Sequence, residues 1–310
     1  MRDQIFVLGA GFSRDAGGPI TSEFLEYSNE SQAVRKLQET SEFQAIRQLS
    51  DSLPLDESNI EGVLNYVGNL KFVGNSRVGR FSPQTILDFL TQYIVTLLAG
   101  RIRNPPSYYA KFVDSVLSNS RAGVLSFNYD LLLDSLLINR IGQLDYGFPA
   151  EDRYRLYGGL SGVRQGIPLI KLHGSINWTT CSVCRTIGLH RGVAPLYRNC
   201  PRENCNGVWK GMIVPPAWNK LPYATNLRLL WNQARDLLEN ASKVIIIGFS
   251  FSALDSLAMD LFRRSFRKND SVDVYVHNGP RYNYVRLEQY IGHSFEEYGL
   301  TCEELLESLT

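Results

Sequence analysis

Short apolar runs that stop abruptly at glycine or polar residues recur along this chain, and a long stretch with helical spacing separates the first two. Ile5, Phe6, Val7 and Leu8 form the first run, a buried strand that meets Gly9-Ala10-Gly11-Phe12-Ser13. Gly123 to Phe127 forms another, ahead of Asn128-Tyr129-Asp130. Pro168 to Leu172 runs into His173-Gly174-Ser175, and Met212-Ile213-Val214 into Pro215-Pro216-Ala217-Trp218. Lys243 to Ile247 is the most hydrophobic run and ends at Gly248-Phe249-Ser250-Phe251-Ser252. The last, Val272 to Val276, ends at His277-Asn278-Gly279.

Between the first two runs the period changes from strand to helix. Thr21-Ser22-Glu23 starts a helical stretch, and Val34, Leu37, Ile46 and Leu49 keep its spacing up to a breaker at Ser52-Leu53-Pro54. Val63, Leu64, Val67 and Leu70 mark the next helix, Ile86 to Leu98 a long one, and Tyr109 to Leu117 another. Further helices are expected over Leu131–Leu137, Leu227–Leu238 and about Leu254–Phe266. Strand, polar turn, helix and strand in this order predict an α/β fold with a Rossmann-like parallel sheet. Its core is expected over residues 1–24, 119–178 and 209–310. Residues 25–118 are expected as a helical block inserted into it or packed on it, and 179–208 as a small ribbon module.

The strand ends carry the candidate chemistry, because ligands of open α/β sheets sit beyond the carboxyl ends of the strands. A glycine turn there suits either a pyrophosphate cradle or a plain connector. Asn128 and Asp130 suit helix capping or ligand contact. His173, beside a glycine, suits proton transfer or a structural role. Residues 9–13, 128–130, 173–175, 248–252 and 278 all present small or polar groups at strand ends, and that coincidence favours a shared site.

Composition narrows the setting. The 310 residues, 44% of them hydrophobic, suffice for one large domain with insertions or for two domains. Thirty-two basic against 31 acidic residues argue against a broad nucleic-acid-binding face. No apolar stretch approaches a membrane span and the first residues do not read as a signal peptide, so a cytoplasmic protein without membrane contact is expected. Disulfides are then disfavoured, and four of the five cysteines cluster as Cys181-x-x-Cys184, fifteen residues, and Cys200-x-x-x-x-Cys205. Two such knuckles suit a tetrahedral zinc–thiolate site, closed by four protein ligands and therefore structural.

In order, Gly9-Ala10-Gly11-Phe12-Ser13 with Ala16-Gly17-Gly18-Pro19, Asn128-Tyr129-Asp130, Leu172-His173-Gly174 and Gly248-Phe249-Ser250 resemble the motifs of the sirtuin (Sir2-like) family. The cysteine ribbon falls where that family keeps its zinc module. The resemblance implies a site for NAD, here as substrate. It assigns Gly9, Ala10, Gly11 and Ser13 to the pyrophosphate and Asn128 to the nicotinamide ribose. Asp130 is assigned to the carboxamide, His173 to the ribose hydroxyls, and Gly248, Ser250 and Asn278 to the adenine-side ribose. Asn128 and His173 are thus the expected catalytic residues.

Departures from the family's deacylating members point elsewhere. Pro19 is followed by Ile20-Thr21-Ser22, not Asp-Phe-Arg; Phe127 replaces a glutamine; Pro215-Pro216 stand where a peptide-binding edge is usual. These features look like the bacterial Sir2-like branch of anti-phage defence, which implies an NAD glycohydrolase releasing nicotinamide and ADP-ribose. Such an enzyme needs restraint, so a homo-oligomer or a regulatory partner such as an ATPase or nucleic-acid-sensing protein is expected by analogy. An NAD-dependent lysine deacylase and a non-catalytic NAD- or ADP-ribose-sensing module are the alternatives. A nucleic-acid-binding ribbon, suggested by Arg185, Arg191, Arg198 and Arg202, is a weaker one.

Overall fold

The computed structural model describes residues 3–26, 31–54, 58–74, 76–102, 104–118, 121–142, 144–149, 153–155, 166–214, 227–252, 255–277, 284–297 and 299–310. The strands, in chain order, are β1 (Gln4–Leu8), β2 (Ala122–Ser126), β3 (Leu144–Asp145), β4 (Arg153–Arg155), β5 (Ile167–Lys171) and β6 (Gly174–Cys181). They continue with β7 (Ile187–Leu189), β8 (Trp209–Ile213), β9 (Lys243–Ile247), β10 (Asp273–His277) and β11 (Glu296–Glu297).

Seven of them form one sheet in the order β11-β10-β9-β1-β2-β5-β3, and each pairing is parallel. β1 is central, which explains why its run is apolar on both faces: Ile5, Phe6 and Val7 are fully buried. Each such side chain contributes roughly 1.5–3 kcal/mol relative to exposure. The chain first builds the side of β2, β3 and β5, then returns across β1 to build β9, β10 and β11. The direction of winding therefore reverses between β1 and β9, where an open sheet leaves a crevice at the strand ends.

The helical stretch divides between two cores. Helices Gln32–Gln38, Ser41–Ser52, Ile60–Val73 and Pro83–Arg101 pack on one another around Phe43, Ile46, Val67, Tyr93 and Leu97. Their starts are written in the sequence: Ser31, Thr40, Asn59 and Ser82 each accept a hydrogen bond from a backbone N–H of the first turn. Ser107–Phe112 and the π turn that follows it belong instead to the core of the main sheet. Phe112 meets Phe6 edge-on at 5.0 Å, and the Tyr109 hydroxyl donates to Phe12 O at 2.5 Å.

A second sheet, ordered β4-β7-β6-β8, carries the cysteine module. The stretches 174–178 and 209–213, expected within the main core, are β6 and β8 of this small sheet and pair antiparallel. Ile176 and Ile213 join the core of the helical block, so that block rests on the small sheet. No helix among the described residues is long and apolar enough to cross a membrane.

Candidate active site at the strand ends

The crevice between β1 and β9 is closed by backbone packed on backbone. Gly9 N–H donates to Ile247 O and Gly11 N–H to Gly248 O, both at 2.9 Å. A Cβ on Gly9 would lie 2.4 Å from Gly248 O, and one on Gly248 would lie 2.3 Å from Phe12 N. Gly248 also has φ +65°, a conformation that L side chains rarely adopt. The glycines are thus required by the close approach of two strand-end turns, and the same bare backbone faces the cavity. Ala10 to Ala16 continue as a 3-10 helix.

The turn after β2 is locked to this glycine turn. Asn128 Nδ2 donates to Gly9 O at 2.8 Å and to Ser13 Oγ at 3.1 Å. A carbonyl only accepts, so the Gly9 contact fixes which end of the amide is NH2. Ser13 Oγ in turn donates to Asp130 Oδ2 at 2.8 Å, while Asp130 Oδ1 accepts from Leu132 N–H at 2.9 Å. Both amide hydrogens of Asn128 are spent on the protein, which leaves Oδ1 as the acceptor it has to offer. Ser13 is 2% exposed and does not line the cavity: it holds Asn128 and Asp130.

Behind Asp130 lies a buried cation. Lys171 is 1% exposed; its ammonium donates to Asp130 O and pairs with Asp134 at 3.1 Å. Tyr146 Oη donates to Asp134 Oδ1 at 2.5 Å, and Asn177 Nδ2 donates to Tyr146 Oη at 3.0 Å. This network joins β6 of the small sheet to the turn after β2. Burial raises the Asp130 carboxyl above its ordinary range, opposed by Lys171, the Leu132 N–H and the Ser13 hydroxyl.

His173 follows β5, with its carbonyl accepting from Val214 N–H at 2.7 Å just past β8. Its ring meets the edge of Phe127 at 5.0 Å. Nε2 lies 2.8 Å from Asp255 Oδ2, with side chains 6% and 2% exposed. Asp255 precedes helix Ser256–Lys268 and caps it through Oδ1, which accepts from Ala258 N–H at 3.2 Å.

These turns surround one cavity of about 810 Å³. Gly9, Ala10, Gly11, Asn128, Asp130, His173, Gly248 and Ser250 all line it, as the sequence led one to expect of a shared site. Asn278 lies outside the described residues. Asp255 and Glu61 are among the lining residues that were missed from sequence. Asp255 has the form of an ordinary helix cap, and the cue lay in its place after a strand-end turn. Glu61, in the first turn of helix Ile60–Val73, comes from the block in which no chemistry was legible. Ile60, Leu64, Ile94 and Leu98 of the same block give the cavity an apolar wall.

The four clustered cysteines converge, with ligand atoms all within 4.8 Å of one another. Cys181 Sγ is 3.5 Å from Cys205 Sγ and Cys184 Sγ 3.7 Å from Cys200 Sγ. Disulfides need about 2.05 Å. Tetrahedral Zn–S bonds of about 2.3 Å place the sulfurs roughly 3.8 Å apart, so the donor set and its spacing fit a structural zinc ion. His190 stays out of this set: it is buried, with Nε2 2.9 Å from Thr179 Oγ1. Cys302 is a separate buried thiol, pushed up to about 12 by burial.

No family model matches the sequence, and no curated protein does either. Solved structures do share its fold. A sirtuin studied for substrate affinity is 14% identical with a TM-score of 0.52, covering 100% of this chain and 93% of that one. Sir2 in complex with the inhibitor EX-527, 2′-O-acetyl-ADP-ribose and a deacetylated p53 peptide is 14% identical, TM-score 0.51, covering 99% and 92%. A Sir2 homologue in complex with NAD is 13% identical, TM-score 0.50, covering 99% and 87%. At such identities the likeness is one of architecture: the chain has the sirtuin fold.

Proposed function

We propose that this protein is an NAD glycohydrolase that splits NAD into nicotinamide and ADP-ribose. The observation that carries the reading is the convergence of Asn128, Asp130 and His173 with the Gly9–Gly11 turn on one cavity at the switch point of the sheet. A structural neighbour is a Sir2 homologue–NAD complex, which makes NAD the natural occupant. The glycine turn holds the pyrophosphate side, with Gly248 and Ser250 toward the adenine ribose, to which the resemblance also assigns Asn278. In the chemistry, the N-ribosyl bond breaks, nicotinamide leaves with the electron pair, and C1′ gains oxocarbenium character. Asn128 Oδ1 orients a water against that carbon by accepting one of its hydrogens. His173 polarises a ribose hydroxyl and so stabilises the developing charge, while the attacking water loses its proton to solvent as the C1′–O bond forms.

The cysteine tetrad holds a structural zinc that takes no part in this step. Its module bears on the site through β6 and β8, which flank the backbone of His173. Phe127 in place of the family's glutamine, and the apolar wall from the helical block, favour water over a large acceptor. The setting implied by the resemblance is bacterial anti-phage defence in the cytoplasm, with activity restrained by a homo-oligomer or a regulatory partner.

The second reading is NAD-dependent deacylation in the same cavity, favoured by the neighbour that holds a deacetylated peptide. Product analysis separates the two. Incubation with NAD alone releases nicotinamide and ADP-ribose on the first reading. Strict dependence on an acyl-lysine peptide, with O-acyl-ADP-ribose as product, overturns it.

A further inference from the structure

The turn after β1 has committed much of its own hydrogen-bonding capacity. Gly9 N–H goes to Ile247 O, Gly11 N–H to Gly248 O and Phe12 N–H to Gly9 O, each at 2.9 Å. Ser13, which the resemblance assigns to the pyrophosphate, donates instead to Asp130 and does not line the cavity. The bare glycines thus give a dinucleotide room and close approach, but an anion also needs donors and a compensating charge. The next residue, Arg14, does line the cavity. Among the described lining residues it is the one lysine or arginine, set against the carboxyl groups of Asp15, Glu61, Asp130, Asp255 and Glu303.

We propose that Arg14 is the side-chain ligand of the NAD pyrophosphate; the inference rests on the reading of this cavity as an NAD site. The guanidinium is already held beside the turn. Its Nη2 donates to Glu23 Oε1 at 3.0 Å, while Glu23 Oε2 accepts from Ile20 N–H at 3.2 Å. Ile20 and Thr21 of that same segment also line the cavity. The Arg14 side chain is 55% exposed, so its pair with Glu23 is screened by solvent and stabilises the fold little. A guanidinium carries five N–H donors in a planar fork, and Glu23 is its one partner among the described residues. Arg14 can therefore clasp phosphate oxygens in bidentate fashion while Glu23 keeps it in place. The pyrophosphate brings two negative charges into a cavity rich in carboxyl groups, and Arg14 offsets the repulsion. The cationic nicotinamide ring needs no such help, because the carboxyl groups suit it.

The test compares wild type, Arg14→Ala and Arg14→Lys by calorimetric titration with NAD and with ADP-ribose, which keeps the pyrophosphate but has no bond to nicotinamide. Arg14→Ala is expected to weaken both ligands about tenfold to a hundredfold, with the melting temperature unchanged. Arg14→Lys falls between, because it keeps the charge and loses the fork. The advantage of wild type over Arg14→Ala should shrink as salt is raised. In turnover, KM rises while kcat changes by less than about twofold, the sign of a contact made equally before and during bond cleavage. Equal affinity of wild type and Arg14→Ala for ADP-ribose would overturn the proposal. A loss matched by a fall in melting temperature would make Arg14 a structural residue and overturn it equally. Wild type that binds ADP-ribose but releases no nicotinamide from NAD would count against the NAD-cleaving reading, and the Arg14 comparison would still decide the pyrophosphate contact. Absence of binding of either ligand to wild type would overturn both.

Discussion

Ser13 Oγ lies 2.8 Å from Asp130 Oδ2 and ties the turn after the first strand to the turn after the second, 117 residues further along the chain. The direction of its proton is set: because Ser13 donates to a carboxylate, it must accept from Asn128, as the 3.1 Å contact shows. The residue that resembles a phosphate ligand in sequence thus serves as the pivot of two candidate site residues.

Ser13→Ala is therefore expected to act on both stability and turnover. It leaves buried Asp130 Oδ2 without its hydroxyl donor, which costs about 1–3 kcal/mol. It also frees the Asn128 amide to rotate, so kcat falls while NAD binding through the glycine turn persists. Denaturant midpoints and calorimetric NAD titration check the two effects separately.

Lys171 gives the sharpest stability prediction. Lys171→Met strands Asp134 in the interior and is expected to destabilise by about 3–5 kcal/mol. Lys171→Met with Asp134→Leu removes both charges, and the double variant should recover much of the loss. Equilibrium unfolding of both variants measures this, and full additivity would show that the two residues are not coupled.

Acid stability should carry the mark of His190. Burial depresses its pKa from 6.5 to about 4, so the unfolded chain binds this proton more readily than the folded one. Its contribution is fully present above pH 6.5 and is lost as pH falls toward 4, by about 3 kcal/mol in total. His190→Gln should flatten the difference in stability between pH 7 and pH 4 by a comparable amount, read from paired denaturation curves.

Metal removal should reach the site through the backbone. Purified protein is expected to hold one zinc per chain by elemental analysis. Cys184→Ser or strong chelation should lower the melting temperature and then NAD turnover, because β6 and β8 flank His173. Turnover that persists in zinc-free protein would detach the module from the site.

Much of this was legible in the sequence because a parallel strand buried on both faces must be an apolar run, and its polar end marks the ligand edge. Cysteine spacing likewise announced its own tetrahedron. What periodicity could not tell is which sheet a strand joins: Met212-Ile213 reads like the end of a core strand, yet β8 pairs with β6 in the small sheet. Tyr109 and Phe112 carry the same helical spacing as the residues before them, but pack on Phe6 and Phe12. Asp255 and Lys171 escaped for a related reason. A helix cap and a strand-end lysine look ordinary until a partner far along the chain is brought beside them.

The central claim, that NAD is held here to be cut with Asn128 orienting the water, is tested most directly by Asn128→Ala. NAD consumption is followed for wild type and variant under identical conditions, with the chain alone and beside its genomic neighbours, and NAD binding is measured in parallel. The account predicts nicotinamide and ADP-ribose from wild type, and a loss of turnover of at least about a hundredfold in Asn128→Ala with binding retained. Undiminished NAD loss in the variant would contradict it.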